Sequence, residues 1–123
     1  MKFVKTDKAP AAIGPYSQGT IINNTVFVSG QLPINMATGE LESDPSKATI
    51  ASLSNICAIL EAAGSDKTKI AKVNVFVRDI AQFSTINVAY EEFFEDHKPA
   101  RALVEVSNLP KNAILEIEAV AEL

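Results

Sequence analysis

The chain predicts one α+β domain of two layers, with a mixed sheet of about six strands and two helices on one of its faces. Three observations carry this. The 123 residues are about the commonest size for a single core. Apolar residues recur at helical spacing in only two stretches, and elsewhere they alternate as strands do. Two helices can cover only one face of such a sheet.

The elements follow in order. Ile21 and Ile22 precede the cluster Asn23-Asn24-Thr25, and Val26 to Ser29 follow it as a second β-rich run, so the pair reads as a hairpin. Residues 30–42 contain Gly30, Pro33, Asn35 and Gly39 without periodicity and read as a loop. Asp44 supplies an N-cap oxygen and Pro45 fits the first helical position, where its missing N–H costs nothing. Ile50, Leu53, Cys57 and Leu60 then mark a buried stripe, and Gly64 ends the helix. Residues 70–77 alternate, with Val73, Val75 and Val77 on one face, and a strand after a helix predicts a βαβ crossover. Asp79 and Gln82 resemble a capping box, and Phe83, Ile86, Tyr90 and Phe93 mark a second helix that runs toward His97 and Pro99. Two further alternating strands follow, one holding Arg101, Leu103 and Glu105 on one side, the other Ile114, Glu116, Glu118 and Val120.

The uncovered face is then expected to carry Phe76, Leu103, Ile114 and Val120 among Arg101, Glu116 and Glu118. That mixture is too apolar to stay wet and too charged to be a core. It predicts self-association, with the charged members lining clefts between subunits.

Composition narrows the function. With 47% hydrophobic and 21% charged residues and no biased tract, the chain is neither disordered, collagenous nor a repeat protein. A net charge of −4, with scattered Lys and Arg, gives no footprint for nucleic acid. One Cys and one His are too few for a structural zinc site, and a lone Cys57 fits a reducing, cytoplasmic setting. No apolar leader and no run of about 18 apolar residues is present, so neither export nor a membrane span is expected.

Among reactive residues, His97 sits in a charged run at a helix end, where a cation complements the helix dipole. Cys57 lies on an apolar stripe and reads as packing. Residues 14–19 have phosphate-loop glycine spacing but lack the following Lys and a leading strand, so nucleotide binding is rejected. Asn23-Asn24-Thr25 matches a glycosylation acceptor only formally and reads as a turn. Arg101 has two readings. If its strand pairs with that of Glu116 the two share a side; the guanidinium then either holds a ligand carboxylate with two parallel bonds or forms an ordinary ion pair with Glu105, Glu116 or Glu118. Tyr16 is either a pocket wall with a hydroxyl or a ring packed over a loop. Asn87 follows Ile86 and has no distinguishing feature.

The stretches Ala9–Gly19 (APAAIGPYSQG), Val28–Pro33 (VSGQLP), Pro99–Arg101 (PAR), Leu109–Lys111 (LPK) and Ile114–Glu118 (ILEIE) together resemble the RidA/YjgF family of imine and enamine deaminases. The motifs are separated, ordered and spread over nearly the whole chain. The resemblance implies a chorismate-mutase-like fold, a homotrimer with active sites between subunits, and hydrolysis of 2-imino acids such as 2-iminobutanoate and 2-iminopropanoate to 2-oxo acids and ammonia. It implies no metal or organic cofactor. Carried over by motif, Arg101 clamps the substrate carboxylate, Leu103 contacts substrate through its main chain, and Glu116 orients water. Tyr16, Ser29, Gly30 and Asn87 match pocket positions, with Tyr16 reaching from a neighbouring subunit. Many members have Cys where this chain has Leu103, which excludes thiol chemistry at that position here. Two other functions compete: a sensor that binds small oxo or imino acids without turnover, and an RNA-cleaving translation inhibitor. Glu116 favours the enzyme over the sensor, and the acidic balance and single His argue against RNA cleavage.

Overall fold

The computed structural model describes residues 1–123. Strands β1 (Lys2–Val4), β2 (Gly19–Ile22) and β3 (Thr25–Gln31) precede helix α1 (Pro45–Ala63). Strand β4 (Ile70–Val77), helix α2 (Phe83–Phe94) and strands β5 (Ala100–Glu105) and β6 (Leu115–Glu122) complete the chain. The six strands form one mixed sheet in the order β1-β2-β3-β6-β4-β5. β6 is antiparallel to both β3 and β4, and β5 adds to β4 in parallel. Each helix therefore connects two parallel strands, and the chain inserts β6 between β3 and β4 last.

Local chemistry accounts for most boundaries. Asn23 occupies the left-handed region at φ 52° in the β2–β3 turn, a conformation asparagine tolerates. The Asp44 carboxylate accepts from Lys47 N–H at 3.0 Å at the start of α1. Gly64, at φ 92°, ends that helix and donates its N–H to the Glu61 and Leu60 carbonyls. The capping-box expectation is corrected. Asp79 caps a single 3-10 turn, Ile80–Gln82, through the Ala81 N–H, and α2 begins at Phe83 with no side-chain cap.

The helices bury one sheet face. Leu53, Ile56, Ile59 and Leu60 of α1 and Ile86 and Phe94 of α2 pack on Val26, Val73, Val75, Val77, Leu115 and Ile117. The expected α1 stripe is rotated: Ile50 is exposed and Cys57 half-buried, whereas Ile56 and Ile59 are in the core. On α2 the deeply buried aromatic is Phe94 rather than Phe93. The expected loop at 30–42 begins two residues late, because β3 continues through Gly30 and Gln31. The three-residue β1 is too short for its periodicity to mark it in the sequence. It pairs with β2, and the segment after it is tied down by Gln18, which is 3% exposed. Gln18 Oε1 accepts from Thr6 N–H at 2.7 Å, and Nε2 donates to the carbonyls of Thr6 and Pro10 at 3.0 and 2.8 Å.

The opposite sheet face carries no helix. In register across it lie Phe27 and Val120, Phe76 and Glu116, and Asn74 and Glu118, all exposed or half-buried. No helix of the molecule is long and apolar enough to cross a membrane.

Candidate active site

The expected site residues fall into two groups, held on opposite faces of the sheet. The first surrounds Glu116. Between Val28 and Gln31, β3 takes three steps while its partner β6 takes two, from Ala119 to Ile117. The extra residue is accommodated at Ser29-Gly30, a bulge that re-aims the strand. Glu116 lies against this bulge so closely that a Cβ on Gly30 would stand 2.8 Å from its Cδ and 3.1 Å from each carboxylate oxygen. Only glycine leaves room for the acid here. Ser29 is tied to the segment that precedes β2, donating from Oγ to the Ser17 carbonyl at 2.6 Å.

Tyr16 joins this group from the segment that Gln18 anchors. Its exposed ring packs on Gly14 and lines a cavity of about 200 Å³ together with Pro10, Ile13, Gly30, Leu32 and Lys111. Lys111 and Asn112 both adopt φ 58°, and Arg78 Nη1 donates to the Asn112 carbonyl at 3.1 Å. Burial first, and the nearby Glu118 second, push the Glu116 carboxyl above the usual carboxylate range.

The second group surrounds Arg101. β5 pairs with β4 alone, with Arg101 opposite Val73 and Leu103 opposite Val75, so both side chains point to the helix-covered face. Glu116 is opposite Phe76 and points the other way. This corrects the expectation that Arg101 and Leu103 share the open face with Glu116. The condition under which they would share a side, pairing of their strands, is not met, because β4 stands between them. Leu103 instead packs on the rim of the core, leaving its main chain on an edge strand.

Arg101 Nη1 donates to Asn87 Oδ1 at 2.7 Å, so its side-chain partner is a neutral amide. The ordinary ion-pair reading is set aside, because each candidate carboxylate is engaged elsewhere. Glu105 accepts from the Ile80 N–H, Glu118 from Asn74 Nδ2, and Glu116 faces Gly30. The guanidinium lies over the Tyr90 ring and lines a cavity of about 300 Å³ with Asn87, His97, Lys98 and Pro99.

His97 is not a solvated helix-end side chain: it is half-buried, its Nε2 is 2.7 Å from the Ile70 carbonyl and its ring meets Phe94 edge-on. Burial pushes the Cys57 thiol up to about 11, which suits packing and not a nucleophile. No three His, Cys, Asp or Glu side chains converge in a way that could hold a metal ion. A larger groove of about 820 Å³ between α1, α2 and residues 34–42 contains none of the expected site residues.

Three residues shape these groups without a role assigned from sequence, although Gln18 and Lys111 lie within the family-like stretches 9–19 and 109–111. Gln18 resembles any polar residue in a Gly/Pro-rich segment, and Tyr90 falls on an apolar helical stripe that reads as packing. The left-handed backbone of Lys111 leaves no compositional trace.

Comparison with known proteins places the chain and its fold. Residues 6–123 match the family model described as endoribonuclease L-PSP. The 2-iminobutanoate/2-iminopropanoate deaminase of Escherichia coli K12 is 48% identical over 123 residues, covering 98% of this chain and 96% of that protein. The protein of the same organism named "Putative reactive intermediate deaminase TdcF" is 45% identical over 98% of this chain and 95% of its own. The solved E. coli YjgF gene product superposes with a TM-score of 0.95 at 47% identity, covering 99% of this chain and 98% of that one. E. coli TdcF with bound serine does so with a TM-score of 0.95 at 44% identity, covering 100% and 99%. A family match over nearly the full length, with close to half of all residues identical to these relatives, establishes that this chain belongs to the RidA/YjgF family.

Proposed function

We propose that the protein hydrolyses reactive 2-imino acids, with 2-iminobutanoate and 2-iminopropanoate as its substrates, in sites completed by a second copy of the chain. One observation carries the reading: Arg101 is an edge-strand guanidinium held by an amide and without a carboxylate partner. A fixed fork with free donors is suited to a small carboxylate. Its partner in the chemistry, Glu116, lies on the other sheet face, so the two meet only across a seam between protomers, and a homotrimer closes three such seams by rotation.

In such a seam the protonated imine carbon is already electrophilic. Arg101 holds the substrate carboxylate, the Leu103 main chain on the same edge adds hydrogen bonding, and Tyr16, Ser29 and Gly30 wall the opposite side. Asn87 fixes Arg101. Glu116 accepts a proton from water as the oxygen bonds to the imine carbon, giving a carbinolamine. That proton returns to nitrogen, the carbon–nitrogen bond breaks to release ammonia, and the hydroxyl gives its own proton to Glu116, which passes it to solvent, leaving the 2-oxo acid. Positioning and one base of raised pKa are sufficient for this low barrier.

The names of the relatives support the deaminase reading. Serine bound in TdcF favours a second reading, a cleft that binds small carboxylates without turnover. The family model's description favours a nuclease, but this chain has net charge −4 and a single His, already bonded to a main-chain carbonyl.

The test generates 2-iminobutanoate in situ with a threonine dehydratase and follows ammonia release. The wild type accelerates it, and Arg101→Ala abolishes the acceleration while keeping the wild-type melting temperature. Arg101→Lys is also poor, since a point charge cannot bind with two prongs. Unchanged turnover in Arg101→Ala removes the assignment, and ligand binding without acceleration by the wild type selects the sensor.

A further inference from the structure

Phe83, Asn87 and Tyr90 stand at i, i+4 and i+7 on α2, one stripe of the helix, and all three meet the guanidinium of Arg101. Asn87 takes one of its five N–H donors. The two rings take none. Arg101 Cζ lies 4.7 Å from the Tyr90 ring centroid and 5.8 Å from that of Phe83, and an aromatic face attracts a cation without using in-plane donors. We propose that Tyr90 is a positioning residue for Arg101, its ring fixing the plane of the guanidinium so that the donors Asn87 leaves free stay aimed at the substrate carboxylate. The inference rests on the reading of Arg101 as the carboxylate clamp.

Tyr90 is braced for this task. Its ring centroid is 4.7 Å from that of Phe94, which is 3% exposed and part of the core. Its hydroxyl, by contrast, is buried with no hydrogen-bond partner. A buried hydroxyl left without a bond is a cost to the fold, so the ring, not the oxygen, is what the site uses. Burial also pushes the phenol up to about 12, which keeps the ring neutral at any working pH.

The test measures kcat and KM for 2-iminobutanoate, and the Kd of the product 2-oxobutanoate by calorimetry, in Tyr90→Phe, Tyr90→Met and Arg101→Ala. Tyr90→Phe keeps the ring and stays within about twofold of wild type in all three constants. Tyr90→Met keeps the bulk but loses the aromatic face, so KM and Kd rise about five- to tenfold while kcat changes by less than about twofold. In the Arg101→Ala background the same change has no further effect on Kd, because the group it positions is gone.

An unaltered Kd in Tyr90→Met overturns the inference, as does an equal loss in Tyr90→Phe, which would transfer the role to the hydroxyl. An equal loss with and without Arg101 reduces Tyr90 to packing. If Tyr90→Met does not fold, Phe83→Leu, at an exposed ring on the same guanidinium, carries the same readouts with a smaller shift. The two failures are separable: full turnover in Arg101→Ala sinks the functional reading itself, whereas an inactive Arg101→Ala with an unaffected Tyr90→Met sinks only this step.

Discussion

Glu116 sits against the Gly30 backbone with Glu118 two residues away on the same face, and both surroundings disfavour its charge. Its proton is therefore bound more tightly in the folded protein than in the unfolded chain. The linked stability is fully present below the ordinary Glu pKa of about 4.3 and is lost as pH rises through the higher folded value. At neutral pH the ionised acid costs the fold free energy in return for a base that can hold and deprotonate water. Glu116→Gln is accordingly expected to melt higher than wild type near pH 7 and to lose that advantage in acid, by calorimetry across the range. The same variant loses about 10²- to 10⁴-fold in turnover, and the acid limb of the wild-type kcat/KM profile stands above the usual carboxylate range. A melting temperature that shows no gain near pH 7 would mean the carboxylate is better solvated than its burial beside Gly30 implies.

The β3 bulge shows how an element can exist to place one side chain. A regular β3 would pair Ser29 and Gly30 in step with β6, whereas the extra residue turns Gly30 toward the acid. Gly30→Ala forces a methyl within 2.8 Å of Glu116 Cδ, and the flexible carboxylate, not the backbone, gives way. The expected outcome is a melting temperature within a few degrees of wild type with deamination reduced about 10²-fold, since misplacement of about 1 Å costs that much. Loss of folding with the residual activity per folded molecule unchanged would count against it. This bulge also marks what could be read in advance. The hairpin, both helices and three long strands follow from local periodicity and caps, all visible within a dozen residues. Which face Arg101 occupies does not, because it depends on β5 choosing β4 over β6, a pairing made across the whole fold. The same limit hid the Glu116–Gly30 contact, between residues far apart in the chain, although each was expected at the site from its motif. It also displaced the α1 stripe by a fraction of a turn, since the neighbours that select Ile56 and Ile59 come from the sheet.

At the level of the molecule, a single protomer holds both halves of the proposed machinery and cannot join them. Arg101 is on the helix-covered side of an edge strand, Glu116 on the bare side of a central one, and the sheet lies between. The bare face, with Phe27, Phe76 and Val120 around the acid, provides apolar surface against which a second copy can pack. If each site takes Arg101 from one protomer and Glu116 from the next, two inactive variants must repair one another. Arg101→Ala and Glu116→Gln, unfolded, mixed in equal amounts and refolded together, would recover about a quarter of wild-type activity. A site is intact only when the protomer giving the arginine and the one giving the acid are both of the right kind, each with a chance of about one half in a closed ring. Mixing the folded variants without exchange recovers nothing. A site built within one chain would stay dead in every mixture, so the absence of recovery from assemblies shown by native mass spectrometry to contain both variants would rule out the shared seam.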